Sequence, residues 1–179
     1  MKASTFRILP LPTEIAEAAR DAVEAGASDH AILSVNSTET SPCRHCLRWA
    51  QPGERVILFP YAAIPSGHPY SETGPIFVHA NECQRYSATN EYPADFRNGR
   101  VFRAYDSNYH IIDAQIMNGT EPEAVIEKFV PKSRHRVCGC TQRHPRLLYV
   151  PSSTRMMRIA YACKIRCSNF VDASTILTA

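Results

Sequence analysis

Apolar and polar positions along the 179-residue chain alternate between two periods. In TEIAEAARDAVEAGA, residues 13–27, Ile15, Ala18, Ala19, Ala22 and Val23 recur at helical spacing, which predicts a helix with one apolar face. Thr13 is the expected N-cap, acidic residues stand in the first turn and Gly26 supplies the stop. FRILPLP before it reads as a short strand ended by Pro10 and Pro12, and DHAILSV after it as a second. RVILFPY, residues 55–61, is a nearly continuous apolar run, the pattern of a strand covered on both faces and therefore central. PIFVHA, residues 75–80, reads the same way. RVFRAYD and HIIDAQIMNG alternate on either side of SNY, which predicts a hairpin of long strands. EPEAVIEKFV predicts a second short helix with Glu121, Pro122 and Glu123 in its first turn, and NECQRYSA one or two helical turns. QPGE is a turn, and AAIPSGHPYSETG is a Pro/Gly-rich loop.

Strands dominate this pattern, and the two helices do not alternate with them. The expected fold class is α+β: a single domain with a mostly antiparallel sheet and two helices. No run approaches the roughly 18 uncharged apolar residues of a membrane span. VILFPYAAIP comes nearest and is interrupted by Pro60. The first residues lack the apolar run of an export signal, so a cytoplasmic protein with no membrane partner is expected. The sequence has no Gly-rich phosphate loop, no G-x-S-x-G and no H-E-x-x-H, which removes the enzyme classes those motifs serve. It does not decide whether the protein is an enzyme.

Seven cysteines change the picture. In a reducing compartment a disulfide framework is disfavoured, which leaves thiol, metal or catalytic roles. Cys43 and Cys46 in SPCRHCL have the spacing of a zinc half-site, and HANEC offers His79 and Cys83 four residues apart. Together Cys43, Cys46, His79 and Cys83 would make a Cys3His zinc set. A redox dithiol is the weaker reading, because such pairs sit at a helix N-terminus and the flanks here allow one helical turn at most. A further reading keeps Cys43 with Arg44, whose guanidinium favours the thiolate and can hold a carboxylate or phosphate. His79 would then be the catalytic partner, in competition with His45, His68 and His110, and Tyr70, Arg103 and Asp106 would complete a ligand-binding pocket at the strand ends.

SPCRHCL, PGERVILFPY, PYSETGPIFVH, FRAYD and AQIMNG, in this order within about residues 6–130, resemble the bacterial family known as domain of unknown function 1203. The resemblance implies no activity. It does imply that Pro42, Cys43, Arg44, Gly53, Glu54, Tyr70, Arg103 and Asp106 occupy motif positions, and that Cys46 does not. The expected function is accordingly small-molecule binding, or cysteine-dependent catalysis, at a Cys43–Arg44 corner. A zinc-stabilised interaction module built on Cys43, Cys46, His79 and Cys83 is the alternative.

Charge divides the chain unevenly. Residues 1–130 carry 11 Lys and Arg against 16 Asp and Glu, a net −5, whereas residues 131–179 carry 9 against 1, a net +8. A basic tail is the usual footprint of a nucleic-acid partner. The family pattern, however, closes on a strand resembling V-x-V-R-N-x-x-x-G-C-Y, which this chain lacks. Codons for residues 140–149, read one base out of frame, can spell V-R-N-A-T-R-G-C-Y in the expected place. The expected organisation is therefore a domain over residues 6–136 and an aberrant, poorly ordered, basic Cys-rich tail over 137–179, produced by a frameshift near Arg136–Cys138. With the tail set aside, a nucleic-acid partner is not expected. The nucleotide sequence around codon 137 tests this: codons that cannot spell the motif in the shifted frame refute it.

Overall fold

The computed structural model describes residues 6–88, 90–97, 99–117 and 121–129, together with the backbone of residues 137–142 and 163–167. Along the chain run β1 (Phe6–Leu9), α1 (Thr13–Glu24), β2 (Ala31–Ser34), β3 (Arg55–Ala62) and β4 (Thr73–His79). A single 3-10 turn at Ala94–Phe96 precedes β5 (Arg100–Tyr105), β6 (Ile111–Ile116), α2 (Pro122–Phe129), β7 (Val137–Gln142) and β8 (Cys163–Cys167). All ladders between these strands are antiparallel, and with two helices beside them the fold class is α+β, as the pattern predicts. The strands form two sheets, β2-β3-β4 and β1-β8-β7-β5-β6. Residues 80–99, which hold no strand among the described residues, carry the chain from the first sheet to the second. Of the tail expected to be aberrant, residues 143–162 and 168–179 lie outside the described residues, and β7 and β8 enter through their backbone pairing alone.

β3 is central, with β2 on one side and β4 on the other, as its apolar run requires. The predicted hairpin forms between β5 and β6. Asp106 fixes its turn by accepting from the backbone N–H groups of Asn108 (2.8 Å) and His110 (2.9 Å). Two local expectations are corrected. Thr13 does not cap α1: Pro12 holds the N-cap position with no side-chain bond, and the Thr13 hydroxyl meets His45 Nε2 at 3.1 Å instead. NECQRYSA is not helical, because its bonds run to distant partners. Tyr86 N–H donates to His45 O (3.0 Å), and Arg85 donates to Leu11 O (3.2 Å) and Pro10 O (3.0 Å). The Tyr86 N–H is thus spent on a residue far along the chain, and the Arg85 guanidinium ties the segment to the β1–α1 connection.

Two main cores result. Ala16 and Ala19 of α1 pack with Leu11, Ile57, Phe59, Ile76 and Val78 on the smaller sheet, with Ile15 and Val23 at the edge. Phe6, Ile8, Trp49, Phe96 and Phe102 pack with Val125, Ile126 and Phe129 of α2 on the larger. Trp49 anchors the second core: its indole N–H donates to Asp95 O (2.8 Å), and its ring meets Phe96 edge-on at 5.2 Å. Cys43 belongs to the first core and Leu47 to the second, so the short turn between them sits at the seam. None of the helices among the described residues is long and apolar enough to cross a membrane.

α2 is moored by Glu123, whose carboxylate receives Arg97 in a two-pronged pair (2.8 and 3.1 Å) and the Tyr92 N–H (2.9 Å). Burial pushes this carboxyl up, but the Tyr92 and Arg97 hydrogen bonds outweigh it and hold the group below the usual carboxylate range. Because the folded pKa lies below the unfolded one, this contribution is full above the unfolded value of about 4.3 and is lost as pH falls through the folded value. Glu123→Gln is expected to cost about 1–2 kcal/mol at pH 7, with the gap in melting temperature from the parent chain closing below about pH 4. An equal gap at pH 7 and pH 3 would contradict the assignment.

Candidate metal centre

The turn that carries CRHC is closed by its own backbone. Cys43 N–H donates to Arg48 O (3.0 Å), Leu47 N–H to Cys43 O (3.1 Å), and Ala50 N–H to Ser41 O (3.0 Å). Leu47 adopts φ +54°, a left-handed conformation that costs a bulky residue energy and recurs where function constrains the backbone. Three long-range bonds fix the turn in place. Cys43 bridges Phe77 in parallel register, Arg44 N–H donates to Phe77 O (2.8 Å), and Leu11 N–H donates to Arg44 O (2.8 Å). The turn therefore lies along β4, and two residues further on that strand delivers His79. Cys83 follows in the irregular segment that Tyr86 ties back to the turn.

One ligand atom each from Cys43, Cys46, His79 and Cys83 lies within 4.8 Å of the other three. Cys43 Sγ is 3.9 Å from Cys83 Sγ, and Cys46 Sγ is 3.5 Å from His79 Nδ1. A tetrahedral zinc with bonds of about 2.3 Å to sulfur and 2.0–2.1 Å to nitrogen has S···S edges of about 3.8 Å and S···N edges of about 3.5 Å. The two measured edges match. Cys43 and His79 are buried, and Cys46 and Cys83 are half-buried.

The surrounding shell orients these groups. With Nδ1 facing the sulfurs, His79 presents Nε2 to Glu54 Oε2 at 3.2 Å, the carboxylate–histidine arrangement that fixes the tautomer of a metal ligand. Glu54 is itself held: Oε2 accepts from Gln51 N–H (2.7 Å) and Oε1 from Arg48 (3.3 Å). The Gln51 N–H is the main reason its carboxyl stays below the usual range, and His79 and Arg48 add to this against the opposing effect of burial. His45, buried inside the turn, places Nδ1 3.3 Å from Cys83 Sγ. With Nδ1 donating to the Cys83 sulfur, Nε2 accepts from the Thr13 hydroxyl. Burial keeps the His45 pKa below its ordinary value, in keeping with this neutral ring.

The electrostatics without a cation show what the cluster needs. Hydrogen bonds from Cys46 and then Cys83 draw the Cys43 thiol far below its ordinary value. Its bond to Cys43 pushes the Cys46 thiol upward. Burial opposes a charged His79, yet its bonds to Cys43 and Cys83 outweigh that and push it up to about 10. One thiolate thus gathers the surrounding protons around itself. A divalent ion at this point would take the place of those protons.

The remaining predicted residues stand elsewhere. The Cys43–Arg44 corner is split: the sulfur faces the cluster, while Arg44 lines a cleft with Leu11, Leu47 and Arg85. Tyr70 is exposed, with its ring 6.2 Å from Tyr105, and Arg103 bonds the Tyr105 side chain. Asp106 pairs with His110 (3.2 Å), and His68 Nδ1 meets Asn108 O (3.2 Å). Tyr70 precedes the Thr73 end of β4, about 20 Å along the strand from His79 at 3.3 Å per residue. Tyr70 and Arg103 thus meet at Tyr105, and Asp106 follows it at the β5–β6 turn. Glu54 and His45 as supports of the ligands were missed in the sequence, because their contacts join residues far apart along the chain. Glu54→Ala is expected to weaken zinc binding about 10–100-fold in competition with a chelating dye. An unchanged affinity would show that the carboxylate does not orient His79.

No curated protein and no solved structure matches the chain. A family model described as protein of unknown function (DUF1203) matches residues 40–140, a span that contains all four ligands and Glu54. The match covers more than half of the chain, and the protein belongs to that family.

Proposed function

We propose that this protein is a zinc-stabilised binding domain, in which Cys43, Cys46, His79 and Cys83 hold one zinc ion as a closed structural site. The observation that carries the reading is the convergence of four ligand atoms within 4.8 Å, two of whose separations are tetrahedral edges for zinc. Three thiolates and an imidazole select zinc over the hard cations, which prefer oxygen. Four protein ligands leave no position for a water or substrate, so the metal's contribution is to folding. It clasps the CRHC turn, the end of β4 and the segment around Cys83 together at the seam between the two cores. Burial of Cys43 favours this role over a nucleophile, which must reach its substrate.

Purified protein is expected to contain about one tightly held zinc per chain at this site, lost in Cys43→Ser, Cys46→Ser and His79→Ala alike. Cys138, Cys140, Cys163 and Cys167 offer competing thiols, so the assignment is read from those variants rather than from total zinc. Removing the metal with a chelator is expected to lower Tm by about 10 °C or more, at roughly 2–4 °C per kcal/mol for a chain of this size. Zinc content unchanged in all three variants would sink the proposal. A role centred on Cys43 alone would instead leave Cys46→Ser indistinguishable from the parent chain.

A further inference from the structure

A cleft of about 270 Å³ opens on the other side of the CRHC turn. The end of β1 contributes Leu9, the β1–α1 connection Leu11, the turn Leu47 and β4 Ile76, which makes the walls mostly apolar. Among the described lining residues the polar side chains are Arg44, Arg85 and the Tyr61 phenol, and none is a carboxylate. Arg85 donates from Nε to Leu11 O (3.2 Å) and from Nη2 to Pro10 O (3.0 Å), which fixes the plane of its guanidinium at the rim. Arg44 is buried, and its backbone is held on both sides by Phe77 O and the Leu11 N–H, so its side chain leaves a rigid point. Two positioned guanidiniums in an apolar cleft form a site for an anion with a hydrocarbon body. A guanidinium in a low-dielectric wall attracts a carboxylate far more strongly than one in water does.

We infer that this cleft binds a small organic carboxylate, its anionic group held by Arg44 and Arg85 and its apolar body against Leu9, Leu11, Leu47 and Ile76. The cleft is small, and a short-chain monocarboxylic acid such as hexanoate matches both its two guanidiniums and its apolar walls. Tyr61 places a phenol on the same wall, where it can donate to a carboxylate oxygen. The site takes nothing from the sulfur atoms, so it does not rest on the metal reading.

Hexanoate, hexanamide and inorganic phosphate, titrated separately into the full chain by calorimetry, test the inference. Hexanoate shares its chain with hexanamide and its charge with phosphate, so it alone satisfies both halves of the cleft. It is expected to bind at least about tenfold more tightly than either. Arg44→Gln and Arg85→Gln are each expected to reduce hexanoate affinity about tenfold and to leave the hexanamide signal unchanged. A thermal melt and the zinc content of each sample accompany the titrations. Hexanoate binding that persists in a zinc-free chain supports this inference even as the metal reading fails. Three outcomes overturn it: equal binding of hexanoate and hexanamide, phosphate binding as tight as hexanoate, or no hexanoate binding up to about 20 mM, where the affinity would be too weak for a built site. If one arginine variant unfolds, the other decides, and the three-ligand comparison on the parent chain stands by itself.

Discussion

Three sulfurs and an imidazole within 4.8 Å of one another can all act as anionic or neutral ligands at once only around a cation. That requirement explains much of the architecture around the turn. A peptide bonded on both edges, between Phe77 O and the Leu11 N–H, sets where Cys43 and Arg44 emerge. Leu47 accepts a left-handed backbone so that Cys46 can turn back toward the same point. β4 brings His79 to that point, with Glu54 behind it to hold the ring. Each of these features costs conformational freedom or strain, and the common return is a set of four ligands already in place.

The same rigidity serves both sides of the turn. Cys43 is in the α1 core and Leu47 in the α2 core, so the residues between them join two bodies of apolar packing. Sulfur points to one side and guanidinium to the other. A metal held by the cluster would act on the cleft indirectly, as a brace beneath the wall from which Arg44 extends. A site for a small anion gains affinity when its charged groups are fixed before the ligand arrives, because less side-chain freedom is lost on binding.

Much of the fold was legible from periodicity. The unbroken apolar run of Arg55–Tyr61 placed β3 in the centre of its sheet, and the alternation around Ser107–Tyr109 gave the β5–β6 hairpin. The four residues whose ligand atoms converge could also be named from residue type and spacing, although family motif positions favoured Cys43 with Arg44. What sequence patterns did not convey were the contacts that cross the chain. Asn81–Ala88 has the composition of a helical turn, but the Tyr86 N–H goes to His45 O and the Arg85 side chain to Pro10 O and Leu11 O, contacts which no local pattern registers. Thr13 looks like a cap and is instead a partner of His45, because Pro12 already sets the entry to α1. Splitting of the sheet in two escaped notice for the same reason: strand spacing says which strands exist and not where the chain changes layers.

The parallel bridge between Cys43 and Phe77 has a consequence for how the protein behaves among its own copies. β4 has β3 on one side, and its other edge would offer unpaired backbone groups to any passing strand. The cysteine turn occupies that edge at its most apolar point, where Ile76, Phe77 and Val78 follow one another. The residues of the cysteine cluster thus also guard an exposed sheet margin. If the cluster holds the proposed zinc, removing the ion would loosen that guard and uncover an adhesive strand.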